Sequence, residues 1–160
     1  MLRRPRLRAS AIVLVLFAAA ASPGHAQTRA SLGAGFTVPR GNLGDVARTG
    51  FTLRGQVGLS LGLADGHVQA GWSRFSGADL DEGDLVVVGE DANVWHGGLG
   101  VRVGIGPFWV GANGFYSFGD TDDGLGFAPE VGVDLGPLEI VADHLFGDTK
   151  WFALRGAVRF

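Results

Sequence analysis

Residues 151–160 read WFALRGAVRF; Phe152, Leu154, Val158 and Phe160 share one parity, while Arg155 and Arg159 take the other. Successive side chains of an extended strand point to opposite faces, so this stretch is a strand with one oily face and one cationic face. No single medium suits both faces. The stretch stands between two unlike environments, with Gly156 filling one slot of the oily face.

The same two-faced alternation recurs along the chain in segments of roughly ten residues, the length of a strand that crosses a bilayer at a tilt. Eight are legible: residues 29–37, 50–62, 67–75, 92–105, 108–118, 125–135, 138–146 and 150–160. The second sets Phe51, Leu53, Val57, Leu59 and Leu61 against Arg54 and Gln56, and the fourth sets Trp95, Leu99, Val101, Val103 and Ile105 against His96 and Arg102. In the sixth, Leu125, Phe127, Val131 and Val133 oppose Glu130 and Asp134; in the seventh, Leu138, Ile140, Ala142 and Phe146 oppose Glu139 and Asp143. Tight connections at LADGH (63–67), GP (106–107) and GP (136–137) carry the glycine and proline that turns require. They alternate with the connections 38–49, 76–91, 119–124 and 147–149. That is an up-and-down antiparallel meander, and an even strand count puts both termini on the tight-turn side.

The start of the chain has another layout. MLRRPRLR (1–8) is cationic, residues 9–21 are apolar, and Gly24 and Ala26 offer small residues for a cut, the three parts of a secretory signal peptide. Cleavage is expected after Ala26, leaving one domain over residues 27–160. Without Arg3, Arg4, Arg6 and Arg8, nine basic residues face sixteen acidic ones, a net charge of −7 that argues against a nucleic-acid partner. With no cysteine there is neither a disulfide framework nor a thiolate ligand or nucleophile. No apolar run after residue 26 approaches the ~18 residues of a transmembrane helix.

Periodicity does not say which face points inward. A soluble lipocalin-like barrel would enclose the oily face around a ligand; a transmembrane barrel would turn it to lipid and close its ladder to leave no free edge. The scarcity of lysine favours the membrane, Lys150 being the only one in the chain, because a water-facing surface is rich in Lys and Glu. The aromatics point the same way. Phe36, Phe51, Trp72, Phe75, Trp95, Phe115, Tyr116, Phe118, Phe127, Phe146, Trp151 and Phe152 fall near the long-connection ends of segments, and Phe108, Trp109 and Phe160 near the tight-turn ends. Two aromatic girdles at the two interfaces of a bilayer are therefore expected.

With these features the chain resembles the small eight-stranded outer-membrane β-barrel proteins of the OmpA-type and OmpX-type class. The resemblance spans residues 27–160 and rests on the alternating final strand and on VPRGNLGDVARTG (38–50), with Pro39, Gly41 and Gly50 placed as in that family's first hairpin. It implies an eight-stranded antiparallel transmembrane barrel in the outer membrane of a Gram-negative-type bacterium, termini periplasmic. It also implies that Phe152, Leu154, Val158 and Phe160 form the signal read by the barrel-assembly machinery. The family includes lipid A deacylases, palmitoyltransferases and aspartyl-type surface proteases. Hydrolysis by serine needs a base within reach of the hydroxyl. His67, His96 and His144 show no His-x-Ser arrangement of the deacylase kind, so no enzyme activity and no cofactor is expected.

Candidate functional residues lie on the polar face and in the long connections. Arg54, Arg102, Glu130, Asp134, Glu139, Asp143, Arg155 and Arg159 share the inward face of the expected barrel. They make either a salt-bridged plug or the lining of a narrow pore for ions or small solutes. The connections are acidic, in SGADLDEGDLVVVGED (76–91) and GDTDDG (119–124). Asp79, Asp81 and Glu90 fit positions one, three and twelve of a calcium loop, although Gly83 and Asp84 break that pattern. Divalent cations bridging such carboxylates to lipopolysaccharide phosphates are the sharper reading, and a solvated loop the plainer one. The apolar run Leu85 to Val88 is expected to extend the neighbouring strands as an exposed ribbon able to pair with another protein. The expected role is structural, adhesive or surface-interactive, for a monomer in contact with outer-membrane lipid, lipopolysaccharide and a surface protein partner.

Overall fold

In a computed structural model describing residues 28–60, 64–78, 80–82, 85–87, 90–121 and 123–160, each of the eight two-faced segments holds a strand over its described residues. In chain order the elements are β1 (Thr28–Arg40), α1 (Asn42–Val46), β2 (Ala47–Ser60), β3 (Ala64–Gly77), β4 (Leu80–Glu82) and β5 (Leu85–Val87). They continue as β6 (Ala92–Ile105), β7 (Phe108–Gly119), β8 (Gly124–Leu135), β9 (Leu138–Leu145) and β10 (Lys150–Arg159). Each long strand pairs antiparallel with its neighbours in the order β1-β10-β9-β8-β7-β6-β3-β2, and β2 closes back on β1. Closure pairs the first strand with the last: Ser31 faces Arg159 and Gly35 faces Arg155. No strand edge of the barrel stays open, which a bilayer requires because hydrocarbon offers nothing to hydrogen-bond.

The hairpins follow their glycines. Gly106 and Gly136 take φ of 64° and 79°, each followed by proline, so a positive-φ residue opens a two-residue turn and proline completes it. The turn expected at 63–67 lies elsewhere. Asp65 pairs with Ser60 and His67 with Gly58, so the ladder already runs through residues 64–67, and residue 63 lies outside the described residues. The connection expected at 38–49 is also mostly regular structure. β1 runs on to Arg40, the five-residue α1 follows, and β2 starts at Ala47 with a register shift before Gly50. Leu85–Val87 forms part of a two-stranded ribbon, as expected, β5 pairing antiparallel with β4 and Leu80 with Val87; the ribbon is a sheet of its own, and Val88 lies outside the described residues.

The orientation of the two faces follows from exposure. Leu32, Leu99 (67% exposed), Ile105 (80%), Leu125, Val131, Leu154 and Val158 lie open on the outside, whereas Arg54, Glu130, Glu139, Asp143 and Arg155 are buried within. Water would drive the opposite arrangement; hydrocarbon around a closed ladder dictates this one. The chain is an eight-stranded antiparallel up-and-down transmembrane β-barrel. Among the described residues no helix is long and apolar enough to cross a membrane, and the crossing is made by strands.

The aromatic girdles need one correction. Phe36, Phe51, Trp95, Phe118, Phe127, Phe146 and Phe152 face outward near one end, and Phe108 and Phe160 near the other. Phe75, Trp109, Phe115 and Trp151 are instead buried inside. Their parity decides it: Trp151 shares a face with Arg155, and Trp109 and Phe115 share one with Asn113 and Ser117.

Candidate functional site

Alternation along eight strands delivers one face of each into the lumen, and the interior divides into layers. Next to the tight-turn mouth, Arg159 on β10 pairs with Asp134 on β8 and, at 2.9 Å, with Glu139 on β9. Glu139 also meets Arg102 of β6 across the barrel at 3.3 Å, and the Arg102 guanidinium lies 4.2 Å from the centre of the Trp109 ring. The ring thus gives a buried cation a polarisable face as well as a carboxylate. Trp109 has room because the residue facing it on β8 is Gly132, where a Cβ would come within 2.3 Å of the indole.

One layer deeper, Asp143 of β9 is shared by two arginines. Arg155 donates to it from the adjacent strand, and Arg54 of β2 approaches it to 3.1 Å from the far wall. Arg54 lies 3.6 Å from Glu130 as well. His67 Nε2 donates to Asn113 Oδ1 at 2.6 Å, since an amide oxygen only accepts, and lies 3.7 Å from Glu130. All eight charged residues singled out on the polar face therefore pair inside the barrel, in two clusters: Arg102, Arg159, Asp134 and Glu139 near the mouth, and Arg54, Arg155, Glu130 and Asp143 deeper. In each, two arginines balance two carboxylates, the condition on which buried charge is tolerated. The register pairs Arg155 with Val141, leaving Glu139 and Asp143 diagonal to it; Arg155 takes Asp143, while Glu139 turns to Arg102 and Arg159.

Toward the long connections the lumen becomes apolar. Phe75, Phe115 and Trp151 pack together, the Trp151 centroid 5.6 Å from Phe75 and 6.4 Å from Phe115, with the buried His96 ring 6.1 Å from Trp151. Leu43 from α1 joins this cluster with Val94, Ala128, Leu145 and Ala153. The short helix thus lays a leucine against the plug at that end. This layer was not anticipated, and parity was the signal that marked it.

The open volume lies at the tight-turn mouth. A vestibule of about 240 Å³ is lined by Arg29, Asp65, Arg102, Trp109, Asp134 and Arg159 among others. Beside it, a pocket reaching Gln56 and His67 holds only about 20 Å³, room for a single water. Arg29 and Asp65 pair across it at 3.1 Å.

At the opposite end, exposed carboxylates clasp strand ends. Asp91 accepts from the Arg74 guanidinium at 2.7 Å and from the Gly77 backbone N–H at 3.2 Å. The Arg74 guanidinium, with that backbone donor, holds the Asp91 carboxyl below the usual carboxylate range. Asp120 accepts from both the side chain and the backbone of Asn93, which lower its pKa likewise. Of the calcium-loop candidates, Glu90 is exposed, and the side chains of Asp79 and Asp81 lie outside the described residues. Among the described residues no three His, Cys, Asp or Glu side chains gather closely enough to hold a metal. His144 pairs with Phe152 on the outward face, its ring 4.1 Å from that of Phe146. The candidate assembly residues Phe152, Leu154, Val158 and Phe160 are all exposed on that same outward face.

No protein-family model matches the chain, and no curated protein matches it. Among solved structures it is similar to the crystal structure of Neisserial surface protein A (NspA), with 16% identity and a TM-score of 0.53 over 85% of this chain and 98% of that one. It also aligns to a porin at 17% identity and a TM-score of 0.35, over 84% of this chain and 52% of that one. The likeness to NspA is one of fold: two chains of similar span that share a barrel at low identity.

Proposed function

We propose that this chain resides in an outer membrane as a sealed barrel and acts through its outer surface and long-connection end, as an envelope or surface-interaction protein. One observation carries the reading. Among the described residues a balanced salt-bridge layer and an aromatic layer lie in series across the lumen, with a vestibule of about 240 Å³ at the tight-turn mouth. A pore needs a continuous water path, and side chains layered across an eight-stranded barrel oppose one. Among the described residues His67 donates to Asn113, and His96, which pairs with Ser117 across β6 and β7, has its ring against Trp151 while the Ser117 hydroxyl donates to the Gly124 carbonyl instead; surface interaction suits this geometry better than catalysis. The exposed acids at the long-connection end, Glu90, Asp91, Asp120, Asp123 and Asp148, suit a cationic partner or bridging divalent ions.

The test is electrical. Protein refolded into a planar bilayer, its folded state verified by the mobility difference between boiled and unboiled samples, is expected to give no unitary current steps. Reproducible steps abolished by closing the vestibule with Ser60→Trp would replace the sealed barrel with a narrow channel.

A further inference from the structure

We propose that Arg40 and Lys150 form a site for the phosphate of an anionic lipid at the long-connection rim of the barrel. The inference rests on the membrane reading above. These two residues pair directly across β1 and β10, the seam where the barrel closes. Both are exposed, and both are flanked by buried neighbours, Pro39 beside Arg40 and Thr149 and Trp151 beside Lys150. They therefore stand on the outward face, the face turned to lipid.

Directly opposed like charges repel across a strand pair, where Cα atoms sit about 5 Å apart, and the arrangement is favourable only around an anion. A rim cation on β3 differs: Arg74 is neutralised by Asp91 at 2.7 Å. Among the described residues neither Arg40 nor Lys150 enters an ion pair. Their depth fits a headgroup. The outward pair just below is Val38 with Phe152, then Phe36 with Leu154. Two residues of strand advance ~7 Å, which carries a side chain from the aromatic level of the interface to the phosphates. Both side chains are long enough to reach past the aromatic rings to a phosphate while leaving their stems on apolar surface. The only lysine of the chain occupies this place.

The experiment compares wild type, an Arg40→Gln/Lys150→Gln double variant and Arg74→Gln, each refolded with equimolar phosphatidylglycerol and phosphatidylcholine. Lipid still bound after detergent extraction is read by native mass spectrometry. Wild type is expected to retain phosphatidylglycerol preferentially, with the preference falling roughly fivefold for each cation removed. Arg74→Gln is expected to retain it like wild type. Equal retention by wild type and the double variant overturns the site. So does displacement of the lipid by an equal concentration of inorganic phosphate, which would show that the free ion suffices. Boiled and unboiled mobility of each sample shows whether it has folded into the bilayer; a wild type that never inserts refutes the membrane reading itself, a result distinct from loss of lipid preference in inserted protein.

Discussion

At the residue scale, Asp143 is buried to 2% exposure and shared by Arg54 and Arg155. Breaking a buried pair leaves an uncompensated charge where no water reaches it, and this costs more than the pair contributes when intact. Asp143→Asn is expected to lower stability by about 3 kcal/mol, because it strands the Arg155 guanidinium and leaves Arg54 only Glu130 at 3.6 Å. Asp134→Asn, at the open mouth where Arg159 keeps Glu139, is expected to cost less than about 1 kcal/mol. Urea unfolding in phosphatidylcholine vesicles, followed by tryptophan fluorescence, compares the two; equal losses would show that Asp143 is no keystone. The charged residues of this network were legible from alternation alone. Which carboxylate meets which arginine was not, because Arg54 and Arg102 reach their partners across the lumen, between strands far apart in sequence.

At the scale of elements, the connection between β3 and β6 is held at its base by Asp91, which ties Arg74 to the Gly77 backbone. The Asp91 carboxyl has a folded pKa below its ordinary value, so its contribution is fully present above the unfolded value of about 3.9 and is lost as pH falls through the lowered folded value. Pepsin cleavage within 78–91 is therefore expected to rise on acidification below about pH 4 and to stay flat above it. Arg74→Gln should raise cleavage already above pH 4 and flatten its further rise on acidification. An acid response as steep as that of wild type would assign it to other carboxylates. Strand segments were easy to locate from sequence, since period two persists through each of them. Their ends were harder: β1 continues past Val38, because a strand loses its alternating signal where its outward face leaves the oily layer and its inward face meets a helix such as α1.

For the whole molecule, the decisive test is which face meets hydrocarbon. Leu99 sits near the middle of β6 with its side chain outward. In a bilayer, Leu99→Arg is expected to cost ~2–4 kcal/mol of folding stability in vesicles. In a water-soluble barrel the same change would be neutral or favourable. Refolding yield and urea midpoints in vesicles decide between these outcomes, and a variant as stable as wild type would overturn hydrocarbon as the medium around the outward face. The proposed plug raises the same question in another form: on that reading, balanced charges and aromatic rings in series oppose water, and with it conduction.

The alternation in WFALRGAVRF and its seven counterparts determined the strands, their antiparallel order and the parity of every side chain, because these are local consequences of an extended backbone between unlike media. Parity even placed Trp151 with Arg155 inside, although its position near a strand end suggested an interface. Only the closed tertiary structure decided the pairing of Arg54 with Asp143, the stacking of Arg102 on Trp109 beneath Gly132, and the meeting of Arg40 with Lys150 at the seam. Each of these depends on barrel curvature and on the register of β1 against β10, and two strands at opposite ends of a chain carry no local signal of how they will meet.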